Sequence, residues 1–311
     1  MEVEGYRSVA AWLRAVSSGG TRSEATRRCY LHFLRRFCEF AGKSPDELVA
    51  ERREHLRSGD EDAIRGDEDL VAEWQERLEG REGLSRGSVA TAVAVIKSFY
   101  SANRVPLQLK RPKTWLTRVR KTPTREELRA MVEACNCARD RAVILCLAQS
   151  GMSLGDFLSQ LTVGKVAAEL WVGVRPIHIS AERRKAMVRY DTFIGNDGSQ
   201  AMEEYLEDVG LGPIEWNLGK VADAPVFRLS PRLVQHIVRR AGERAGLDAP
   251  VTPHRLRSFF STRMKLAGCP DALVEYWMGH TMPYGGAYFI PPVEEQREIY
   301  RRHEWTVSVG R

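Results

Sequence analysis

Apolar residues recur at three- and four-residue steps through the first third of the chain: Val9, Leu13 and Val16, then Tyr30, Phe33, Leu34, Phe37 and Phe40. That period is the signature of amphipathic helices, and several short ones are predicted over residues 8–102. An acidic, glycine-containing stretch at residues 58–69 reads as a solvated loop between them. The last helix of this region, over 88–102, carries Val89, Val93, Ile96 and Tyr100 on one face and a basic polar face.

Pro106, Pro112 and Pro123 then break helical patterning, so residues 105–122 read as an extended linker. Thr124 followed by Glu126 and Glu127 suits a helix start, running to about Cys135. A second helix is predicted from about Ala138 toward Gly151, and a short one over 156–161. Residues 170–179 and 187–194, rich in Val, Ile, Trp, Tyr and Thr, read as two strands, with 182–185 as the hairpin tip between them. Helices resume near Gln200. At the end, Trp305, Val307 and Val309 alternate with polar residues and read either as a small interaction element or as a tail folded back on its own domain. The expected fold is mainly α with a small antiparallel β-sheet, an α+β chain.

At 311 residues the chain exceeds what one core usually supports, so two domains are expected: 1–105, then a basic linker over 106–122, then 123–311. An apolar share of 43% and a charged share of 28% exclude wholesale disorder. The net charge of +6 favours a polyanionic partner, and its local distribution sharpens that reading. Residues 83–125 contain no acid but hold Arg86, Lys97, Arg104, Lys110, Arg111, Lys113, Arg118, Arg120, Lys121 and Arg125. An extended basic segment suits a strap on DNA; the plainer alternative is a solvated linker. The N-terminus reads as no secretory signal, and the longest apolar run, near Val143, is too short for a bilayer. A cytoplasmic protein without membrane contact is expected. Cys29, Cys38, Cys135, Cys137, Cys146 and Cys269 have no CxxC pairing and read as reduced packing residues.

The candidate chemistry lies in residues 252–288, TPHRLRSFFSTRMKLAGCPDALVEYWMGHTMPYGGAY. His254 and Arg257, three apart, leave nearly the same face of a predicted first helical turn. His280 follows the glycine that ends the next helix, with Tyr284 and Tyr288 close behind. A phosphodiester under attack gathers negative charge on its non-bridging oxygens, which a fixed guanidinium stabilises. A phenol is a weak nucleophile that an imidazole or a positive field activates. No HExxH, acidic metal cluster or GxxxxGK[ST] is present, so a covalent route without metal or cofactor is the one these residues point to.

The segment TPHRLRSFFSTR resembles the His-x-x-Arg box of the tyrosine recombinases of the phage-integrase family. EYWMGHTMPYGGAY resembles their Gly-His box followed by the nucleophilic tyrosine. The resemblance extends to ARDRAVILCLAQSGMSLGDFLSQLTVGKV, the family's first box, and to SRGSVATAVAVIKSFYSANRVPL at the end of a helical DNA-clamping domain. It implies Tyr288 as the nucleophile joined to a DNA 3′ phosphate, with Tyr284 as rival, and His254, Arg257 and His280 around that phosphate. It implies Lys185 as the hairpin lysine that protonates the leaving 5′ oxygen, with Arg183, Arg184 and Lys165 as rivals.

One position departs. Where the family's first box carries an arginine, SGMSLGDFL places Ser153, while Asp156 keeps the acid that trails it. A lost oxyanion donor typically costs about a hundred- to a thousand-fold in rate. Arg139, Arg141 and Arg183 are candidate replacements. The expected protein is a site-specific recombinase acting as a tetramer on double-stranded DNA, with no cofactor; the alternative is a catalytically impaired relative that binds DNA in an accessory or regulatory role.

Overall fold

The computed structural model describes residues 2–18, 24–109, 121–183, 187–211, 221–282 and 290–310. These fall into two compact units, Met1–Val119 and Arg120–Arg311. Among the described residues the whole is mainly helical with a two-stranded antiparallel sheet.

The first unit contains α1 (Arg7–Ser18), α2 (Glu24–Ala41), α3 (Pro45–Ser58), α4 (Glu61–Gly80) and α5 (Arg86–Ala102). Their apolar faces meet in one core, where Trp12 stacks on Tyr30 at 5.4 Å and Phe37 meets Trp74 edge-on at 5.2 Å. Sequence fixes the ends of α3. Ser44 accepts from the Glu47 amide while the Glu47 carboxylate accepts from the Ser44 amide, and Gly59 closes the helix at φ +71°.

The acidic stretch 58–69 is mostly helix rather than loop: Gly59 and Asp60 separate α3 from α4, and residues 61–69 are helical. Asp60 caps α4, accepting from the amides of Asp62 and Ala63 at 3.1 Å each, and the acids of the first turn sit at the positive end of the helix. The next turn supplies partners to Arg52 on α3, which is 1% exposed. Its guanidinium donates to the Ile64 carbonyl at 2.6 Å, to Asp67 at 3.2 Å and to Glu68 at 3.1 Å. It also donates to the Pro106 carbonyl at 3.1 Å, and Val105 and Leu107 are buried in this core. The chain read as an extended linker therefore begins as a packed part of the first unit.

The second unit contains α6 (Arg125–Glu133), α7 (Ala138–Ser150), α8 (Leu154–Gln160), α9 (Val163–Leu170), β1 (Ile177–Arg183) and β2 (Val188–Ile194). It continues with α10 (Asn196–Asp208), α11 (Pro231–Arg244), α12 (Pro253–Leu266), α13 (Asp271–Trp277), α14 (Val293–His303) and a 3₁₀ turn, Glu304–Thr306. Helix α7 is buried on all sides from Ala142 to Ser150, with α10 and α12 packed against it, so it is the centre of the unit. The hairpin pairs Ile177 with Ile194 through to Arg183 with Val188. Its first strand starts later than predicted. Val163, Val166, Ala167 and Leu170 share one buried face at helical spacing and form α9, and Gly173, at φ +75°, turns the chain before β1 begins.

The chain end lies on its own unit. Asp197 accepts from the Ser308 hydroxyl at 2.5 Å and the Val309 amide at 2.6 Å, while Arg125 and Arg129 donate to the Ser308, Val309 and Gly310 carbonyls. Val307 is fully buried. The six cysteines are free, and burial pushes the Cys38 and Cys269 thiols up to about 12. Among the described residues no single helix is long and apolar enough to cross a membrane.

Candidate active site

Helix α12 presents two of the predicted residues from one turn. Thr252 caps it and Pro253 occupies its first position, which leaves His254 exposed and sends Arg257, 5% exposed, inward. Arg257 donates to the Gly151 carbonyl at 2.6 Å and to the Met278 carbonyl at 2.7 Å, and its Nη2 lies 2.8 Å from His280 Nε2. Burial, then the positive charge of Arg183, pushes its pKa down to about 10. Among the described residues it has no carboxylate partner.

Two glycines allow these approaches. Gly151 ends α7 at φ +60°, where a Cβ would run into the Phe260 ring, and its carbonyl is thereby turned to Arg257. Gly279 follows α13 at φ +67°, where a Cβ would stand 2.8 Å from the Tyr190 ring. The Gly279 carbonyl accepts from Arg183 Nη1 at 3.1 Å.

His280 comes next. A guanidinium can only donate, so His280 Nε2 accepts from Arg257 and the ring proton is assigned to Nδ1, which donates to Glu275. Glu275 also accepts from Lys265. Burial opposes its charge, but the bonds from Lys265 and His280 outweigh this and hold its carboxyl below the usual range. The arrangement fixes the ring and keeps Nε2 turned toward the arginine.

Ser153 caps α8. Its Oγ accepts from the Asp156 amide at 3.2 Å and donates to the Asp156 carboxylate at 2.8 Å, and that carboxylate also accepts from Tyr190 at 3.2 Å. Ser153, Arg183, His254, Arg257 and His280 line one open cleft of about 910 Å³. Tyr288, Lys185, Tyr284 and Arg184 lie outside the described residues. Of the three candidate replacement cations, Arg139 pairs with Asp140 at 2.9 Å and Arg141 with Glu204 at 3.2 Å; Arg183 is the one that lines the cleft. Lys165 is not among the lining residues, and burial lowers its pKa.

Gln235, His236 and Arg239 of α11, which the sequence did not single out, also line this cleft. Their exposure could have been inferred, because Val234, Ile237, Val238 and Ala241 take the buried face of that helix. Which cleft they face could not. In the first unit Arg86 and Arg104 are exposed, whereas Lys97 bonds the Leu109 carbonyl, so its charge is engaged within its own unit. In the second, Lys121 is exposed and reaches Glu127 at 3.4 Å. Lys110, Arg111, Lys113, Arg118 and Arg120 lie outside the described residues.

A cleft lined by two histidines and by a buried arginine that has no carboxylate partner among the described residues is suited to an anion such as a phosphate. Residues 121–283, a little over half the chain, match the phage integrase family model, and the chain belongs to that family. It is similar to the tyrosine recombinase XerA of Thermococcus kodakarensis, 22% identical over 265 residues that cover 84% of this chain and 82% of that one. It is also similar to the tyrosine recombinase XerD of Mycobacterium tuberculosis, 24% identical over 323 aligned positions covering 96% of each. Among solved structures, the Tn1549 transposon integrase in complex with transposon right end DNA matches with a TM-score of 0.57 at 15% identity, over 94% of this chain and 98% of that one. The XerH recombinase on a palindromic difH substrate matches with a TM-score of 0.52 at 18% identity, over 74% and 68%. At these identities the structural likeness is one of fold. The family match includes Ser153, Arg183, His254, Arg257 and His280; Tyr288 falls just beyond it.

Proposed function

We propose that this chain is a site-specific DNA recombinase that cuts and rejoins strands through a 3′-phosphotyrosine at Tyr288. The observation that carries the reading is Arg257: a buried guanidinium held on two carbonyls and a histidine, without a counterion among the described residues, at a cleft shared with His254 and His280. The Tyr288 oxygen bonds to phosphorus and its proton passes to an imidazole of the cleft. The bond from phosphorus to the 5′ oxygen breaks, its electron pair leaves with that oxygen, and Lys185 supplies the proton that completes the 5′ hydroxyl. Arg257 stabilises the charge that rises on the non-bridging oxygens. The phosphotyrosine conserves the bond energy, so the reverse step rejoins DNA with no cofactor consumed.

In the same reading Arg86 and Arg104 of the helical unit, together with the basic run from Lys110 to Lys121 that leads into the second unit, clamp DNA, and four protomers join two sites. The test is a nicked suicide duplex, selected for binding from a randomised pool, that traps the covalent intermediate. A denaturation-resistant adduct that disappears in Tyr288→Phe, with DNA affinity retained, is the expected result. An adduct that persists in Tyr288→Phe would name another nucleophile, and tight binding with no adduct would leave a DNA-binding role alone.

A further inference from the structure

Two guanidiniums reach the cleft from different elements and dock on consecutive carbonyls. Arg257 Nη2 donates to Met278 at 2.7 Å, and Arg183 Nη1 donates to Gly279 at 3.1 Å. Carbonyls of adjacent residues lie within a few ångström of each other, so the two cations are neighbours. The C-terminal end of α13, the negative end of its dipole, is where such cations are favoured. Neither arginine has a carboxylate partner among the described residues, and both line the cleft. Two adjacent, partly dehydrated cations repel one another, and an anion placed between them removes that penalty. By contrast, Ser153 brings no charge, and its hydroxyl is engaged by the Asp156 amide and carboxylate.

We propose that Arg183 is a catalytic residue: it supplies the second guanidinium on the non-bridging oxygens of the scissile phosphate, beside Arg257 and from the end of the hairpin. This rests on the recombinase reading above. When phosphorus becomes five-coordinate the two arginines share the added charge between them. Ser153 then belongs to the helix cap, and the charge that its position lacks is delivered from β1.

The experiment uses single-turnover adduct formation on the nicked duplex, with an ordinary scissile phosphate and with a methylphosphonate that carries one charge fewer. Arg183→Gln, which keeps a donor for the Gly279 carbonyl, and Arg183→Ala are both expected to slow adduct formation about a hundredfold or more on the phosphate. On the methylphosphonate the loss is expected to shrink to about tenfold or less, because the missing cation has less charge to meet. Adding Ser153→Arg to Arg183→Ala is expected to recover part of the rate on the phosphate. A merely structural Arg183 would lower both substrates alike along with the melting temperature. Equal losses on the two substrates, or no loss on either, would overturn the proposal while leaving the recombinase reading in place. A wild-type protein that forms no adduct on any duplex would overturn both.

Discussion

Arg52 in the helical unit and Arg257 in the second unit are the same side chain at nearly the same depth, 1% and 5% exposed, yet their surroundings differ in kind. Arg52 bonds two carboxylates, Asp67 and Glu68, along with two carbonyls. Arg257 bonds two carbonyls and an imidazole. A third buried arginine, Arg297, follows Arg52: Glu169 meets it at 2.6 and 3.0 Å, and that bond holds its pKa above the ordinary value despite burial. Buried charge is tolerated when it is matched inside the protein. Where it is not, the match has to come from outside, and so the counterion, rather than burial, separates an arginine that locks a fold from one that awaits a ligand.

The largest effect is expected at the unmatched arginine. Arg257→Lys keeps the charge but loses the fork that spans the Gly151 and Met278 carbonyls and still faces the cleft, so adduct formation should fall about a hundredfold or more. Denaturant unfolding should move little, since no carboxylate is abandoned. At Arg52 the pattern reverses. Arg52→Met leaves Asp67 and Glu68 without their cation and should lower stability by about 3 kcal/mol, with adduct formation per folded molecule unchanged. If Arg52→Met stayed as stable as its parent while Arg257→Lys unfolded, the counterion would not be the distinguishing feature.

The two arginines were also unequally legible. Arg257 stands in a box whose partners are near in sequence, so spacing alone placed His254 on its helix turn and His280 past the next glycine. Arg52 finds its partners 12 to 54 residues away, across a helix pair that the acidic stretch concealed. High charge was read there as solvation, when its physical use was to cap α4 and to neutralise a buried cation. Strand β1 was started too early, at 170, for a related reason: Leu170 is the last residue of a helix face that it shares with Val163, Val166 and Ala167, and it fits that face once spacing, rather than residue type, is weighed. Arg183 was one of several cations that sequence could not rank, because its approach to Arg257 depends on how the hairpin lies against α13.

The loop-versus-helix difference has its own, smaller test. Asp60 accepts two amides at the start of α4. Asp60→Ala should therefore lower stability by about 1 kcal/mol in urea unfolding, as loss of a helix cap does. A solvated loop at this position would register no change. The comparison with Arg52 is direct: the same stretch carries both the cap and the counterions, and the counterions are expected to matter more.

Glu304 is the acidic counterpart of Arg257, and the effect there should be the smallest. It is 7% exposed and accepts the Asn196 amide, but no basic side chain is bonded to it among the described residues. Burial, reinforced by the nearby charge of Asp197, raises its pKa; the Asn196 amide and the charge of Arg301 only partly offset this. The sign follows from proton linkage. A carboxyl that binds its proton more tightly when folded is favourable at low pH and becomes a liability as pH climbs past the unfolded value, about 4.3, until the folded value is passed. Glu304→Gln keeps an acceptor oxygen for the Asn196 amide and removes the charge, so the variant should melt above its parent at neutral pH. Below about pH 4, where the acid is protonated in both states, the two melting temperatures should converge. A variant that is less stable than its parent at neutral pH would mean that the Glu304 charge is matched after all, and it would return this acid to the class of Arg52.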